Sequence, residues 1–293
     1  MGRLVRHVLG PPIRQMKPSH KEELVHILTR RVRLLPDFLI VGTQKGGTTS
    51  LFTWLTRHPN VGQPVTKEIE FFDQQHTNGV AWYRAHFPTK LERARRRQRG
   101  EGPLLTGEAT PSYLVHPRAP QRVAALIPDA KLITLLRNPV DRAYSLYQHR
   151  VDQGLEPLSF EQAIEAEEDR IRGEIDRIRN DDRYVSDTFH VYSYLYGGIY
   201  ADLLQEWLRF FPRERLLILR SEDLFSAPHD CYQTVLRFLG LPEVWEPHWY
   251  DAINAGGYEE SMNPATRRQL ETYFRPHNER LASFLGRPFD WSD

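Results

Sequence analysis

One stretch constrains the fold of this chain more than any other. Asp37-Phe38-Leu39-Ile40-Val41-Gly42 is a short apolar run closed by glycine, and Ser50-Leu51-Phe52-Thr53-Trp54-Leu55 resumes with helical spacing. Between them lies Thr43-Gln44-Lys45-Gly46-Gly47-Thr48-Thr49. A continuous apolar run bounded by turn residues reads as a strand buried on both faces. A glycine-rich loop that joins such a strand to a helix aims backbone N–H groups at one spot, where the helix N-terminus adds roughly half a positive charge. The unit is therefore strand, anion-binding loop, helix.

The rest of the chain repeats the strand–helix alternation. Further strands are expected at 104–107, 131–137 and 215–220, and helices at 20–32, 118–127, 139–150, 159–180, 199–210 and 228–239. Strands alternating with helices imply an α/β fold, here a P-loop-type central parallel sheet flanked by helices in three α/β/α layers. Neither a repeat nor a linker interrupts it. The expected organisation is a basic, partly helical extension over 1–35 and one domain over 36–293.

The loop departs from the common nucleotide-binding pattern G-x-x-x-x-G-K-[ST]. Gly42 and Gly47 occupy its glycine positions and Thr49 its hydroxyl position, but Thr48 stands where the lysine belongs. The lysine has moved inside the loop, to Lys45. In an ATP site the lysine reaches the β- and γ-phosphates and the hydroxyl binds Mg²⁺. A guest with less charge to neutralise needs only one loop lysine, backbone donors and hydroxyls. A P-loop kinase or ATP-binding protein remains the alternative. It would call for lysine at position 48 and an aspartate ending a later strand, whereas the strand at 131–137 ends in Arg137.

Composition removes other classes. The formal net charge of +1 excludes a whole-molecule field for a nucleic-acid polymer, so any anion attraction must be local. The single cysteine, Cys231, permits no intrachain disulfide and is read as a buried apolar residue. The histidines lack metal-ligand spacing, so no metal is expected. The absence of a G-x-S-x-G elbow argues against a serine hydrolase. Residues 1–34 are basic, broken by Pro11, Pro12 and Pro18, and hold no apolar run of membrane-spanning length. A cytoplasmic, bacterial protein without a membrane anchor is expected. Two charge runs, basic at 90–99 and acidic at 161–182, are read as solvated faces, with an anionic acceptor as the functional reading of the first.

At this point the residues resemble a family. Pro36 through Leu51 is similar to the 5′-phosphosulfate loop of sulfotransferases that use 3′-phosphoadenylyl sulfate (PAPS), in particular the heparan sulfate N- and 3-O-sulfotransferase type and its bacterial relatives. Lys67-Glu68-Ile69-Glu70-Phe71-Phe72-Asp73, followed by Trp82-Tyr83, resembles the segment with that family's catalytic glutamate. Gly107-Glu108-Ala109-Thr110-Pro111-Ser112-Tyr113 looks like its turn beside the substrate cleft. Leu136-Arg137-Asn138-Pro139-Val140-Asp141-Arg142-Ala143-Tyr144-Ser145 resembles its 3′-phosphate motif. Tyr273 to Asn278 and the run Phe289-Asp290-Trp291 complete the match in order.

The resemblance implies in-line sulfuryl transfer from PAPS, with adenosine 3′,5′-bisphosphate as the product, to a saccharide or small-metabolite acceptor. It assigns Lys45, Gly46, Gly47, Thr48, Thr49 and Ser50 to the phosphosulfate, Arg137 and Ser145 to the 3′-phosphate, and Gly256 and Tyr258 to a loop over the donor. Glu68 takes the position of the general base, with its basicity set by burial against Phe71 and Phe72 and by Lys67 or Lys45. Lys67, Glu70 and Asp73 are secondary candidates for acceptor contact. Tyr200 belongs to a helix packed near the site, and Trp207 to the core. The chain departs from the pattern at Glu70, commonly histidine in the 3-O type, at Ala109, a lysine there, and at Gly257, where arginine is usual. These departures leave the acceptor open, including the choice between hydroxyl and amine.

Overall fold

The computed structural model describes residues 25, 26, 28–243, 250, 261–289 and 291. The apolar run forms β1 (Phe38–Gly42), buried along its whole length. With β2 (Val61–Gly62), β3 (Leu105–Ala109), β4 (Lys131–Leu136) and β5 (Leu216–Arg220) it builds a sheet of order β2-β3-β1-β4-β5. Every pairing is parallel; Phe38 registers with Gly107 on one side and Lys131 on the other, and Leu132 with Leu216.

Helices in chain order are α1 (Thr48–Arg57), α2 (Val80–Arg84), α3 (Lys90–Gln98), α4 (Ala119–Leu126), α5 (Pro139–Asp152), α6 (Phe160–Ile171), α7 (Glu174–Asn180), α8 (Asp187–Tyr192), α9 (Tyr200–Leu208), α10 (Ser221–Ser226), α11 (Pro228–Leu239) and α12 (Pro264–Leu285). Side chains of a strand alternate between faces, and the core divides accordingly. Phe38, Ile40, Ile133 and Leu135 pack with α1 and α11 through Leu51, Trp54, Tyr232 and Leu236. Leu39, Val41, Leu132 and Leu136 pack with α4, α9 and α12 through Val123, Leu204, Trp207 and Leu281. The three-layer α/β/α expectation holds, and Trp207 is a core residue, fully buried. Cys231 is buried, and burial pushes its thiol up to about 12.

Some elements differ from expectation. The helix expected over 159–180 breaks at Gly173, whose φ of 75° ends α6 and caps α7. The long α12 was not expected because Pro264 and Pro276 mask it, although Thr266, Leu270, Phe274 and Leu281 bury one face. The basic run at 90–99 forms a helix that was not among those expected, and it keeps the solvated face that was. Thr89 caps it, Arg93 pairs with Asp37 at 2.5 Å, and Arg96 pairs with Glu101 at 3.4 Å. Asp37 precedes β1, whose five residues span about 16 Å, so the Arg93–Asp37 pair lies at the opposite end of the strand from the glycine-rich loop, and α3 does not line the cleft described next. Among the described residues no helix is long and apolar enough to cross a membrane.

The chain leaves β1 toward β2 and β3 on one side and reaches β4 and β5 on the other. Ligands in open α/β sheets bind at the carboxyl ends of the strands, where the order reverses. The loops after β1, β3, β4 and β5 meet there.

Candidate active site

Those loops line a cleft of about 820 Å³. Its floor is the loop after β1. Lys45 adopts φ 66° and Gly47 φ 88°, and Gly47 caps α1 in the left-handed region with no side-chain cap and no acidic residue in the first turn. The first-turn N–H groups of Thr48 and Thr49 precede the intrahelical ladder, which leaves them for a guest in the cleft. At Gly46 a Cβ would lie 2.6 Å from the Leu135 carbonyl, so only glycine fits.

The Gly46 N–H corrects one expectation. It donates to Thr43 O at 3.0 Å and so closes the loop rather than facing a guest. The Gly46 carbonyl accepts from Ser221 Oγ at 2.9 Å, which ties the loop to α10. Ser50 is wholly buried and, unlike Thr48 and Thr49, does not line the cleft.

Two further cleft groups come from the end of β4. Arg137 donates through Nη1 to the Lys45 carbonyl at 3.0 Å, and the Tyr200 hydroxyl donates to the Arg137 carbonyl at 2.8 Å. Asn138 caps α5 through Val140 N, and Pro139 opens it. Ser145 follows about two turns on, buried at the cleft wall. Burial lowers the pKa of Lys45, and the Arg137 charge lowers it further. Arg142, in the same motif, is fully buried and holds the Ser193 and Tyr194 carbonyls.

The segment after Val65 supplies acids to the facing wall. Ile69, Phe71 and Phe72 are buried, while Glu68 is exposed and Glu70 half-buried; both acids line the cleft. Glu68 is therefore not buried against Phe71 and Phe72 as expected. Those rings turn the other way, Phe71 stacking on Tyr83 at 4.4 Å, and the partner of the Glu68 carboxylate is Lys67. Glu70 has φ 56°, and its pKa is raised by burial first and then by Glu68.

Glu108, given no role from sequence, organises this wall. Fully buried at the end of β3, it accepts from Tyr83 OH (2.7 Å), Tyr113 OH (2.9 Å), Thr110 Oγ1 (2.6 Å) and Ile69 N (3.3 Å). Thr110 Oγ1 also accepts from Glu70 N at 3.2 Å, and Ala109 N donates to Lys67 O at 3.0 Å. Asp73 does not reach the cleft. It is 2% exposed and accepts from Ser112 Oγ at 2.5 Å and Gln74 N at 2.6 Å; burial pushes it up to about 8. Ser112 is what the cleft sees of that pair.

Sequence reading also missed His149, Arg150 and His190 on the cleft wall. Asp141, Ser145 and His149 recur every four residues along α5, and that spacing extends the Ser145 face. Arg150 is buried and donates to Gln153 Oε1 (2.9 Å), His190 O (3.0 Å) and Val191 O (3.3 Å), fixing α8 to α5. Gly256, Gly257 and Tyr258 lie outside the described residues.

A glycine-rich helix N-terminus, a half-buried lysine, a strand-end arginine and an exposed carboxylate thus share one cleft. Comparison with known proteins bears on this arrangement. The sulfotransferase domain model matches residues 35–255. The mouse heparan sulfate glucosamine 3-O-sulfotransferase 3A1 is 32% identical over 304 residues, covering 96% of this chain and 70% of that protein. The human heparan sulfate glucosamine 3-O-sulfotransferase 6 is 32% identical over 286 residues, covering 88% and 74%. The crystal structure of a sulfotransferase from Alicyclobacillus acidocaldarius superposes with a TM-score of 0.65 at 30% identity, covering 87% of this chain and 98% of that one. With this sheet, this cleft and these relatives, the chain belongs to the sulfotransferase domain family and is a sulfotransferase enzyme.

Proposed function

We propose that the enzyme takes its sulfuryl group from PAPS and passes it to a hydroxyl or amine of a saccharide or small-metabolite acceptor, with Glu68 as the base. The observation that carries this reading is that Lys45 and Glu68 line the same cleft as Arg137 and Ser145. The residues fit the donor. The N-terminus of α1, which has no side-chain cap, and a half-buried lysine beside an arginine suit two anionic groups.

When bound, PAPS supplies a sulfuryl group on a phosphate leaving group. Lys45 and the first-turn N–H groups of α1 hold the negative charge that grows on the phosphate side, as preorganised donors do in phosphoryl transfer. Arg137, fixed by the Lys45 carbonyl and by Tyr200, offers a planar fork to the 3′-phosphate, and Ser145 offers a hydroxyl. Glu68 accepts the acceptor's proton, and Lys67 orients its carboxylate. Catalysis in this scheme is positioning and charge stabilisation.

The donor is tested by titration calorimetry. Adenosine 3′,5′-bisphosphate is expected to bind at least ten times more tightly than ATP–Mg²⁺; the reverse order would favour the kinase alternative. Lys45→Ala is expected to lower single-turnover transfer of labelled sulfate by about a hundredfold with an unchanged melting temperature. Transfer within threefold of the unaltered enzyme would remove Lys45 from the charge-stabilising role.

A further inference from the structure

Trp291 and Glu222 form a hydrogen-bonded latch at the turn between β4 and α5. The Trp291 indole N–H donates to Glu222 Oε2 at 3.1 Å. Glu222 Oε1 accepts from Asn138 N at 2.9 Å, and Asn138 Nδ2 donates to the Trp291 carbonyl at 3.4 Å. The ring closes on the residue between Arg137 and Pro139. The Trp291 ring packs against Tyr200 (centroids 5.8 Å apart), whose hydroxyl holds the Arg137 carbonyl, and against Phe289 (5.3 Å). Arg287 anchors the same segment by donating to Ile218 O in β5 at 3.0 Å.

Glu222 makes this latch consequential. It lines the cleft together with Arg137 and Ser145. A carboxylate there repels an incoming phosphate, and N–H donors on its oxygens lessen that repulsion by opposing its charge. One oxygen is taken by the Asn138 N–H. The other takes the indole N–H, with Arg220 Nε more distant at 3.8 Å. Trp291 therefore does two things through Glu222: it occupies one oxygen of that carboxylate at the cleft wall, and it ties down the turn that sets the spacing of Arg137 and Ser145.

We propose that Trp291 is a positioning residue for the anionic end of the donor, acting through Glu222 and Asn138 on Arg137. This rests on the reading of Arg137 and Ser145 as the 3′-phosphate site. Trp291→Phe keeps an aromatic ring against Tyr200 and Phe289 but removes the N–H. The full-length variant is expected to bind adenosine 3′,5′-bisphosphate about fivefold to tenfold more weakly in calorimetry, since a hydrogen bond to a charged group is lost. KM for the donor should rise by the same factor, with kcat and the acceptor KM unchanged.

The double variant Trp291→Phe with Glu222→Gln removes the charge left without its indole partner, and its affinity should return to within about threefold of the unaltered protein. A merely structural role would lower the melting temperature, leave the donor affinity alone, and find no rescue in a second substitution. Unchanged affinity in Trp291→Phe, or equal weakening with and without Glu222→Gln, would overturn the proposal. Absence of adenosine 3′,5′-bisphosphate binding by the unaltered protein would instead overturn the donor reading on which it rests.

Discussion

Exchanging Glu68 for glutamine is expected to cut turnover by about 10²- to 10⁴-fold, the range that a positioned general base contributes. The substitution keeps shape and an oxygen to accept from the Lys67 ammonium, and removes only basicity. It should not harm the fold. Glu68 is exposed, its ion pair with the largely buried Lys67 side chain is open to solvent on the Glu68 side, and solvent-exposed pairs contribute about 0–1 kcal/mol. Affinity for adenosine 3′,5′-bisphosphate should be unchanged, because the donor groups lie on the loops after β1 and β4. Glu70→Gln serves as the control: it also lines the cleft, but its positive φ and burial beside Glu68 suit it to shaping the wall. Its effect is expected within tenfold. The deciding measurement is single-turnover transfer of labelled sulfate, which isolates chemistry from product release. If Glu68→Gln keeps full speed while Glu70→Gln is slow, the base is Glu70.

Which parts of this site were legible in the sequence follows from the range of the contacts that make them. The loop at Lys45 and the Arg137–Ser145 spacing are local patterns: a strand end, a turn and two turns of helix fix where the side chains go. Glu68 was legible as a cleft residue but its surroundings were not. Phe71 and Phe72 nearby suggest burial, yet the chain turns at Glu70, whose φ is 56°, so that Ile69, Phe71 and Phe72 pack inward while Glu68 and Glu70 stay on the open side. Asp73 and Glu108 were beyond reach for a different reason. Each is buried by partners distant in sequence: Ser112 for Asp73, Tyr83 and Ile69 for Glu108. Nothing within a few residues of either announces those partners. The latch at Trp291 is the extreme case, since it joins residues 138, 222 and 291.

The largest effect on stability is expected at Glu108. Its carboxylate is the common acceptor for Tyr83, Tyr113, Thr110 and the Ile69 N–H. Glu108→Leu leaves these buried donors without it, at about 1–3 kcal/mol for each that finds no substitute. The expected loss is about 3–5 kcal/mol, read from denaturant unfolding. Activity should fall too, because Ile69 and Thr110 hold the segment that carries Glu68.

Glu108→Gln separates charge from shape. Burial pushes the Glu108 carboxyl up to about 7, against the pull of its four donors. A carboxyl raised in the folded state contributes its stability below the unfolded value of about 4.5 and loses it as pH rises through about 7. Asp73, raised to about 8, and Glu167, raised to about 7, act in the same direction. The unaltered enzyme should therefore be less stable at pH 8 than at pH 5.5. Glu108→Gln should flatten that dependence by up to about 2 kcal/mol, the linkage energy of one carboxyl titrating near 7 over the span from pH 5.5 to pH 8. If both proteins lose stability equally between these pH values, Glu108 is already ionised at pH 5.5 in the fold. Its four hydrogen bonds would then outweigh the cost of burying it, and the wall that carries Glu68 would stand on a buried charge.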